Sequence, residues 1–73
     1  MSDKREIKKY DDRIEYWENG KLHRTDGPAI EYANGKKEWY VNSLLHRING
    51  PAVEDVDGSK LWFVHGRYIN REN

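Results

Sequence analysis

Apolar and polar residues alternate along short runs that recur through most of the chain. Alternation with a period of two is typical of β-strands that bury one face. Asn34-Gly35 and Asp57-Gly58 separate successive runs, and these dipeptides favour two-residue type I′ turns, in which both central residues need φ > 0. The pattern therefore predicts two hairpins, whose strands are residues 29–33, 37–41, 52–56 and 60–64.

The second hairpin repeats the first at a spacing of 23 residues. Without a gap, 10 of the 23 positions from Tyr16 to Glu38 carry the same residue one period later. The identical pairs are Asn19/Asn42, Leu22/Leu45, His23/His46, Arg24/Arg47, Gly27/Gly50, Pro28/Pro51, Ala29/Ala52, Glu31/Glu54, Gly35/Gly58 and Lys37/Lys60. A fixed period of this length indicates a repeat architecture.

The repeat divides the chain into units. We expect residues 1–5 to be a frayed N-terminus and residues 6–73 to form one domain. Its parts are a half repeat at 6–15, complete units at 16–38 and 39–61, and a C-terminal cap at 62–73. The half repeat would turn at Asp11-Asp12 and the cap at His65-Gly66, because these dipeptides fall at the turn positions of the register.

Further turn signals leave no room for a helix. Asn19-Gly20 and Asn42-Ser43 turn the chain again within each unit, and Gly27-Pro28 and Gly50-Pro51 mark a third turn. Proline then stands at the first residue of the next strand, where its missing N–H is tolerated. We therefore predict an all-β fold, an antiparallel meander of repeated hairpins in an elongated twisted sheet.

Alternation also predicts an aromatic row on each face of this sheet. The rows are Tyr16, Trp39 and Trp62 on one face and Trp17, Tyr40 and Phe63 on the other. A sheet with one solvated face would be polar on that face. We expect one row to be covered by Leu22, Leu45 and Tyr68 and the other by a partner.

Composition narrows the class of protein. The 73 residues carry 13 basic and 13 acidic side chains, so the formal net charge is zero and nothing in the overall balance favours nucleic acid or an anionic membrane. The absence of cysteine excludes disulfides and thiolate metal sites and suits a reducing compartment. No apolar run approaches the length of a membrane span. We expect a cytoplasmic protein without membrane binding.

The repeated motif resembles MORN repeats, in the viral and bacterial variant that reads Trp-x-x-Asn-Gly-x-x-His-Arg-x-Asp-Gly-Pro-Ala. Matching positions are Trp17, Gly20, His23, Gly27, Gly35, His46, Gly50, Gly58, Trp62 and Gly66. Two features depart from typical MORN units: Glu15 and Glu38 stand at a glycine position, and Arg24 and Arg47 follow histidine where glycine is usual. The resemblance implies an elongated sheet of hairpins that serves as a scaffold, dimerisation element or protein-binding module; lipid binding has also been attributed to such repeats.

The titratable residues favour structural roles. His23 and His46 lie one period apart, about 10 Å across two strand spacings, which is too far for both to bind one zinc ion. We expect their imidazoles to bind turn backbone, and we expect Arg24 and Arg47 to pair with Glu31 and Glu54 across strands. No set of nucleophile, base and oxyanion donors emerges, so no catalytic residue, metal or cofactor is predicted.

The sequence therefore favours a non-catalytic protein-binding module. The resemblance further suggests a phage- or virus-type accessory protein that inhibits or redirects a host protein, such as a defence protein. Small size and aromatic residues on both faces predict a homodimer. The candidate partner-binding residues are Tyr16, Trp17, Arg24, Trp39, Tyr40, Arg47, Trp62 and Phe63. The alternatives are single-stranded nucleic-acid binding by the same aromatic residues and, less favoured, a small hydrolase-type enzyme.

Overall fold

Residues 4–69 are described by a computed structural model, and they form ten β-strands and no helix. The strands are β1 (Arg5–Lys9), β2 (Arg13–Glu18), β3 (Lys21–Leu22), β4 (Ile30–Tyr32), β5 (Lys37–Glu38), β6 (Tyr40–Val41), β7 (Leu44–Leu45), β8 (Val53–Glu54), β9 (Lys60–Val64) and β10 (Arg67–Ile69). Every strand pair is antiparallel. The predicted all-β antiparallel fold is confirmed.

Strands β3 and β4 lie end to end along the same side of β2. Trp17 of β2 lies opposite Leu22 of β3, and Glu15 lies opposite Ile30 of β4. Between them, residues 24–28 leave the sheet. Tyr16 spans the gap, because its N–H donates to Ala29 O at 2.7 Å while its carbonyl accepts from His23 N at 3.0 Å. The chain therefore returns along β2 as one strand with a looped-out segment.

The next unit repeats this arrangement. Residues 47–51 leave the sheet between β7 and β8, and Trp39 spans that gap between β5 and β6 with a 2.7 Å bond to Ala52 O and a 3.0 Å bond from His46 N. We call residues 24–28 and 47–51 the excursion loops. Treating β3 with β4, β5 with β6 and β7 with β8 as interrupted strands reduces the ten strands to seven positions of a meander.

The sheet is one layer thick. Its strands follow one another in a single order, with β6 and β7 continuing β5 and β8 past the excursion loops, and the extents are 41 × 28 × 15 Å. The buried hydrophobic core among the described residues is small and consists of Ala29, Ile30, Ala52 and Val53. Much of the aromatic surface is therefore only half-buried.

Two predicted turns have a different geometry. Asn34-Gly35 and Asp57-Gly58 are parts of three-residue loops, because Tyr32 N bonds Lys36 O at 2.9 Å and Asp55 N bonds Ser59 O at 2.9 Å. Only the glycines have positive φ there, at 104° and 92°. The type I′ prediction is wrong at these turns, which are type I turns closed by a left-handed glycine.

The paired positive φ angles lie at the other set of turns. They occur at Asn19-Gly20 (52° and 80°), Asn42-Ser43 (52° and 65°) and His65-Gly66 (50° and 78°). These turns close the hairpins β2–β3, β6–β7 and β9–β10. Both central residues are left-handed, as a two-residue type I′ loop requires.

The first hairpin of the described sheet begins at Arg5. This residue starts β1 opposite Glu18, next to the predicted boundary between residues 5 and 6. The predicted first hairpin is confirmed, with Tyr10 N bonded to Arg13 O across Asp11-Asp12 at 2.8 Å. Residues 1–3 of the predicted frayed segment and residues 70–73 of the predicted cap lie outside the described residues.

Candidate protein-binding surface

The strand register places the two aromatic rows on opposite faces. We call the face with Tyr16, Trp39 and Trp62 the Trp39 face, and the face with Trp17, Tyr40 and Phe63 the Tyr40 face. Leu22, Leu45 and Tyr68 lie directly opposite Trp17, Tyr40 and Phe63, respectively, in the neighbouring strands. Cross-strand neighbours share a face, so these three side chains extend the Tyr40 face.

On the Trp39 face, arginines from the excursion loops cover two aromatic rings. The guanidinium carbon of Arg24 lies 3.9 Å from the centre of the Tyr16 ring, and that of Arg47 lies 3.8 Å from the centre of the Trp39 ring. Such cation–π contacts typically contribute about 0.5–1 kcal/mol when exposed and more when desolvated. Two of the three rings of this row, Tyr16 and Trp39, are therefore covered by the protein's own side chains.

The same arginines close the excursion loops. Arg24 Nη1 donates to Pro28 O at 3.0 Å and to Glu31 Oε2 at 3.2 Å, while Arg24 Nε donates to Asp26 Oδ1 at 3.0 Å. Burial alone would lower the pKa of Arg24, but the hydrogen bonds and charges of Asp26 and Glu31 raise it overall. The guanidinium therefore stays charged and holds both ends of its loop.

Arg47 makes equivalent bonds in the next unit. Its Nη1 donates to Pro51 O at 3.1 Å and to Glu54 Oε2 at 3.2 Å. The two arginines pair with Glu31 and Glu54 as predicted, but they do so from the excursion loops and not across strands. Ion pairs at an exposed surface contribute little to stability. Here each arginine also contacts an aromatic ring and donates to a backbone carbonyl.

Glycine is needed in each excursion loop because the arginine passes so close. A Cβ on Gly27 would lie 3.0 Å from Arg24 Cζ, and one on Gly50 would lie 2.9 Å from Arg47 Cζ. Neither glycine has positive φ, so the constraint is the space that the guanidinium occupies rather than the backbone angle. The repeated Arg-x-x-Gly-Pro spacing is thus explained by the closure of a loop around arginine.

The Tyr40 face has a buried acidic group near its N-terminal end. Glu15 is only 8% exposed and accepts from Arg13 Nε at 2.7 Å and from Trp17 Nε1 at 2.9 Å. Burial alone would raise the pKa of Glu15, but these two hydrogen bonds lower it overall. Lys8 Nζ lies 4.3 Å from the centre of the Trp17 ring. This end of the face is therefore held by internal contacts.

The middle of the Tyr40 face repeats this arrangement with different residues. Tyr40 Oη donates to Glu38 Oε1 at 3.2 Å, and Lys36 Nζ lies 3.4 Å from Glu38 Oε2. Burial, together with the negative charge and hydrogen bond of Glu38, raises the pKa of Tyr40 to about 12. The phenol remains a donor at neutral pH, so Glu38 fixes the position of the ring.

The C-terminal end of the Tyr40 face is the open part of this surface. Phe63 and Tyr68 meet edge to face with centroids 5.6 Å apart. Tyr68 is 56% exposed and Leu61 is 41% exposed. Within residues 4–69, no lysine or arginine lies over Phe63 or Tyr68, in contrast to Trp17. An apolar surface without internal cations therefore lies at this end.

A row across the sheet shows how burial changes along this face. Glu15, Ile30, Glu38, Val53 and Leu61 lie opposite one another on five successive strands. Ile30 is 6% exposed, Val53 9% and Leu61 41%. The row is buried where Trp17 and Tyr40 flank it and becomes exposed towards β9. The next strand, β10, is the last of the sheet within the described residues.

The structure divides the predicted partner-binding residues between the faces. Tyr16, Trp39, Trp62, Arg24 and Arg47 belong to the Trp39 face, and Trp17, Tyr40 and Phe63 belong to the Tyr40 face; all eight are half-buried. Sequence reasoning missed the contribution of Leu61 and the exposure of Tyr68. It also missed the anchoring role of Glu15 and Glu38, although each stands two residues before the ring it binds.

A groove of about 690 Å³ lies on the Trp39 face between the excursion loops. Its lining includes Trp39, Val41, His46 and Ile48. Ile48 is 71% exposed, so this face also presents apolar surface. Its arginines, however, are committed to closing the loops.

The imidazoles of His23 and His46 bind turn backbone, as predicted. His23 Nδ1 accepts from Asn42 N at 3.1 Å, and His46 Nδ1 accepts from His65 N at 2.8 Å. Among residues 4–69, no group of three or more His, Cys, Asp or Glu side chains is placed to hold a metal ion.

Comparison with protein-family models, with curated proteins and with solved structures finds no match to this chain. The described residues contain no helix with the length and hydrophobicity of a membrane span.

Proposed function

We propose that this chain is a non-catalytic, MORN-like protein-binding module that acts in the cytoplasm and docks its partner on the Tyr40 face. The observation that carries the proposal is the exposed aliphatic and aromatic surface that Leu61 and Tyr68 form beside Phe63 at the C-terminal end of the Tyr40 face. Arg24 and Arg47 cover Tyr16 and Trp39 at 3.9 and 3.8 Å, whereas Tyr68 remains 56% exposed beside Phe63. Aromatic residues at the centre of an interface supply much of its binding energy.

The open end of this face has the composition of an interface core. Leu61, Phe63 and Tyr68 supply apolar and aromatic surface, and the phenol of Tyr68 can pair with a polar group of the partner. Glu38 and Tyr40 border this end and are already paired with each other, so docking would not require either to be desolvated alone. The partner is a protein with a complementary apolar patch.

The resemblance to MORN repeats adds a biological role to this proposal. An accessory protein that inhibits or redirects a host protein would need a small, rigid surface and no catalytic centre. A second copy of the chain is another occupant of the same face, which would give the predicted homodimer. Nucleic acid is disfavoured, because Lys8 and Lys36 contact the rings of Trp17 and Tyr32 and are paired with or close to carboxylates.

Affinity capture with face-specific variants tests this function. The double variant Leu61→Ser/Tyr68→Ser changes exposed residues of the Tyr40 face, and Leu44→Ser/Ile48→Ser is the matched control on exposed residues outside it. We expect the wild type and the control to retain a stoichiometric protein partner in 0.5 M salt, and the first variant to lose at least about tenfold in affinity when the purified partner is titrated.

Other outcomes would contradict the proposal. Loss of binding only in Leu44→Ser/Ile48→Ser would move the site off the Tyr40 face. Retention of nucleic acid alone, released as salt rises, would support the alternative function, since phosphate contacts weaken steeply with ionic strength. Sedimentation of the wild type at micromolar concentration distinguishes a second copy from a foreign partner: a monomer would remove the homodimer from the proposal.

A further inference from the structure

Two hydrogen bonds join the His65-Gly66 turn to the neighbouring strand β7 and the residue after it. His65 N donates to His46 Nδ1 at 2.8 Å, and Gly66 N donates to Leu45 O at 2.7 Å. An imidazole nitrogen that accepts an N–H carries no proton, so His46 is neutral and protonated only at Nε2. The tip of the last hairpin is thus held by an unprotonated imidazole nitrogen.

The preceding unit has the same arrangement with different neighbours. Asn42 N donates to His23 Nδ1 at 3.1 Å, and Ser43 N donates to Leu22 O at 2.8 Å. Glu18 Oε1 lies 3.8 Å from His23 Nε2, so a protonated His23 would have an anionic neighbour.

Within residues 4–69, no carboxylate forms an ion pair with His46. Val41 occupies the strand position one period after Glu18, and His65 stands where Asn42 stands in the first unit. The His46 and His65 rings lie with their centroids 4.3 Å apart at an interplanar angle of 35°. In the second unit the His65 imidazole therefore stands in place of the Asn42 amide, and the Val41 side chain stands in place of the Glu18 carboxylate.

The other charged groups around His46 do not compensate a positive charge on its ring. Arg24, Asp26 and Arg47 line the same groove, and Arg67 follows the turn in β10. The one carboxylate among them, Asp26, is 84% exposed and bonded to Arg24 Nε. Arg24 is also paired with Glu31, and Arg47 with Glu54, and among residues 4–69 no carboxylate forms an ion pair with the His46 ring.

We propose that His46 and His65 form an acid-released latch, in which a proton on His46 Nδ1 frees the His65-Gly66 turn from β7 and opens the tip of the last hairpin. The added proton turns Nδ1 from an acceptor into a donor, so it can no longer accept from His65 N. A proton on His65 as well places two cations about one ring separation apart, which favours the open state further.

Two further observations agree with the latch. Burial and the charge of His65 both lower the pKa of His46, so the closed state resists protonation and binds fewer protons than the open one. The turn also lies against Leu44, since a Cβ on Gly66 would meet Leu44 Cδ2 at 3.1 Å. Opening therefore uncovers apolar surface at the tips of the last two hairpins, in addition to the 46% of Leu44 that is already exposed.

Amide hydrogen exchange by NMR from pH 7.5 to pH 5.0 tests the latch, with rates expressed as protection factors to remove the intrinsic effect of pH. In the wild type we expect the His65 and Gly66 amides to lose about tenfold in protection, while the Asn42 and Ser43 amides keep theirs, because acid favours the open state of the latch. This range lies above the titration of ordinary carboxylates.

Two variants, His46→Asn and His65→Asn, distinguish opening of the latch from a general effect of acid on the protein. His46→Asn supplies an acceptor near the Nδ1 position that does not titrate, and it should abolish the selective loss. His65→Asn copies Asn42, removes the second imidazole and keeps the backbone donor, and it should lose less protection than the wild type. It also provides the test if His46→Asn does not fold. Equal loss at both turns of the wild type, or an unchanged loss in a folded variant, would overturn the proposal.

Discussion

Arg47 lies over the ring of Trp39, with its guanidinium carbon 3.8 Å from the ring centre, while Gly50 faces the same guanidinium from the loop side. The arginine is therefore enclosed between an aromatic ring and a stretch of glycine backbone. From this position it bonds Pro51 O and Glu54. Trp39 and Arg47 therefore close the second excursion loop together.

The enclosure predicts strong coupling between Arg47 and Gly50. Arg47→Ala should lower the free energy of unfolding by about 2 kcal/mol, because it removes a cation–π contact and two hydrogen bonds. Gly50→Ala should cost about 1 kcal/mol, because the new methyl group displaces the guanidinium. In the Arg47→Ala background, Gly50→Ala should cost less than about 0.3 kcal/mol, as measured by urea unfolding of all four proteins.

Gly58 provides the control for this cycle. It has a φ of 92°, and apart from its chain neighbours no heavy atom in residues 4–69 would lie within 4 Å of an added Cβ, so its cost on substitution comes from the backbone alone. Gly58→Ala should cost about 1 kcal/mol whether or not Arg47 is present. Additive costs for Arg47→Ala and Gly50→Ala would contradict the enclosure.

The turn geometry predicts opposite responses to glycine at two asparagines. Asn34 has no positive φ, and its Oδ1 accepts from Lys36 N at 3.0 Å, so Asn34→Gly should lose that bond and cost about 1 kcal/mol. Asn42 has a φ of 52°, which glycine adopts freely, so Asn42→Gly should change stability by less than about 0.5 kcal/mol. Thermal unfolding measures both; a neutral Asn34→Gly would favour the type I′ turn instead.

Glu15 predicts an acid-sensitive component of stability. Its pKa is lowered in the folded state, so the folded protein binds fewer protons than the unfolded one between the folded pKa and the ordinary value of 4.5. The contribution is complete above pH 4.5 and is lost as the pH falls through the folded pKa. Urea unfolding of the wild type and Glu15→Gln from pH 7 to pH 3 checks this.

We expect Glu15→Gln to be less stable at pH 7 by about 1 kcal/mol, because an amide cannot accept from both Arg13 and Trp17 as strongly as a carboxylate. The difference between the two proteins should shrink as the pH falls towards 3. A difference that stays constant over this range would show that the charge of Glu15 does not stabilise the fold.

The fold class could be predicted from the sequence because the signals are local. Period-two alternation and closely spaced turn residues specify antiparallel strands without any knowledge of packing. The turn type could not be predicted in the same way, since Asn-Gly suits both a type I′ loop and a longer loop with a left-handed glycine. Hydrogen bonding between Tyr32 and Lys36 decides between them, and that depends on the register of the whole sheet.

The aromatic rows could be predicted from alternation, but their different roles could not. The difference arises from Arg24 and Arg47, which reach back over rings eight residues earlier in the chain after the backbone has left the sheet. The alternation of apolar and polar residues does not indicate where the excursion loops place these arginines. The exposure of Tyr68 likewise follows from its place on the last strand of the described sheet, which only the topology reveals.

Site-specific photo-crosslinking tests most directly whether the Tyr40 face is the binding surface. A photoreactive phenylalanine analogue would replace Tyr68 on that face or, as the matched control, Ile48 in the second excursion loop; both positions are well exposed, at 56% and 71%. In the cells that express the protein, we predict one discrete protein adduct from position 68 and none from position 48. Adducts from position 48 alone, or none from position 68, would contradict the account.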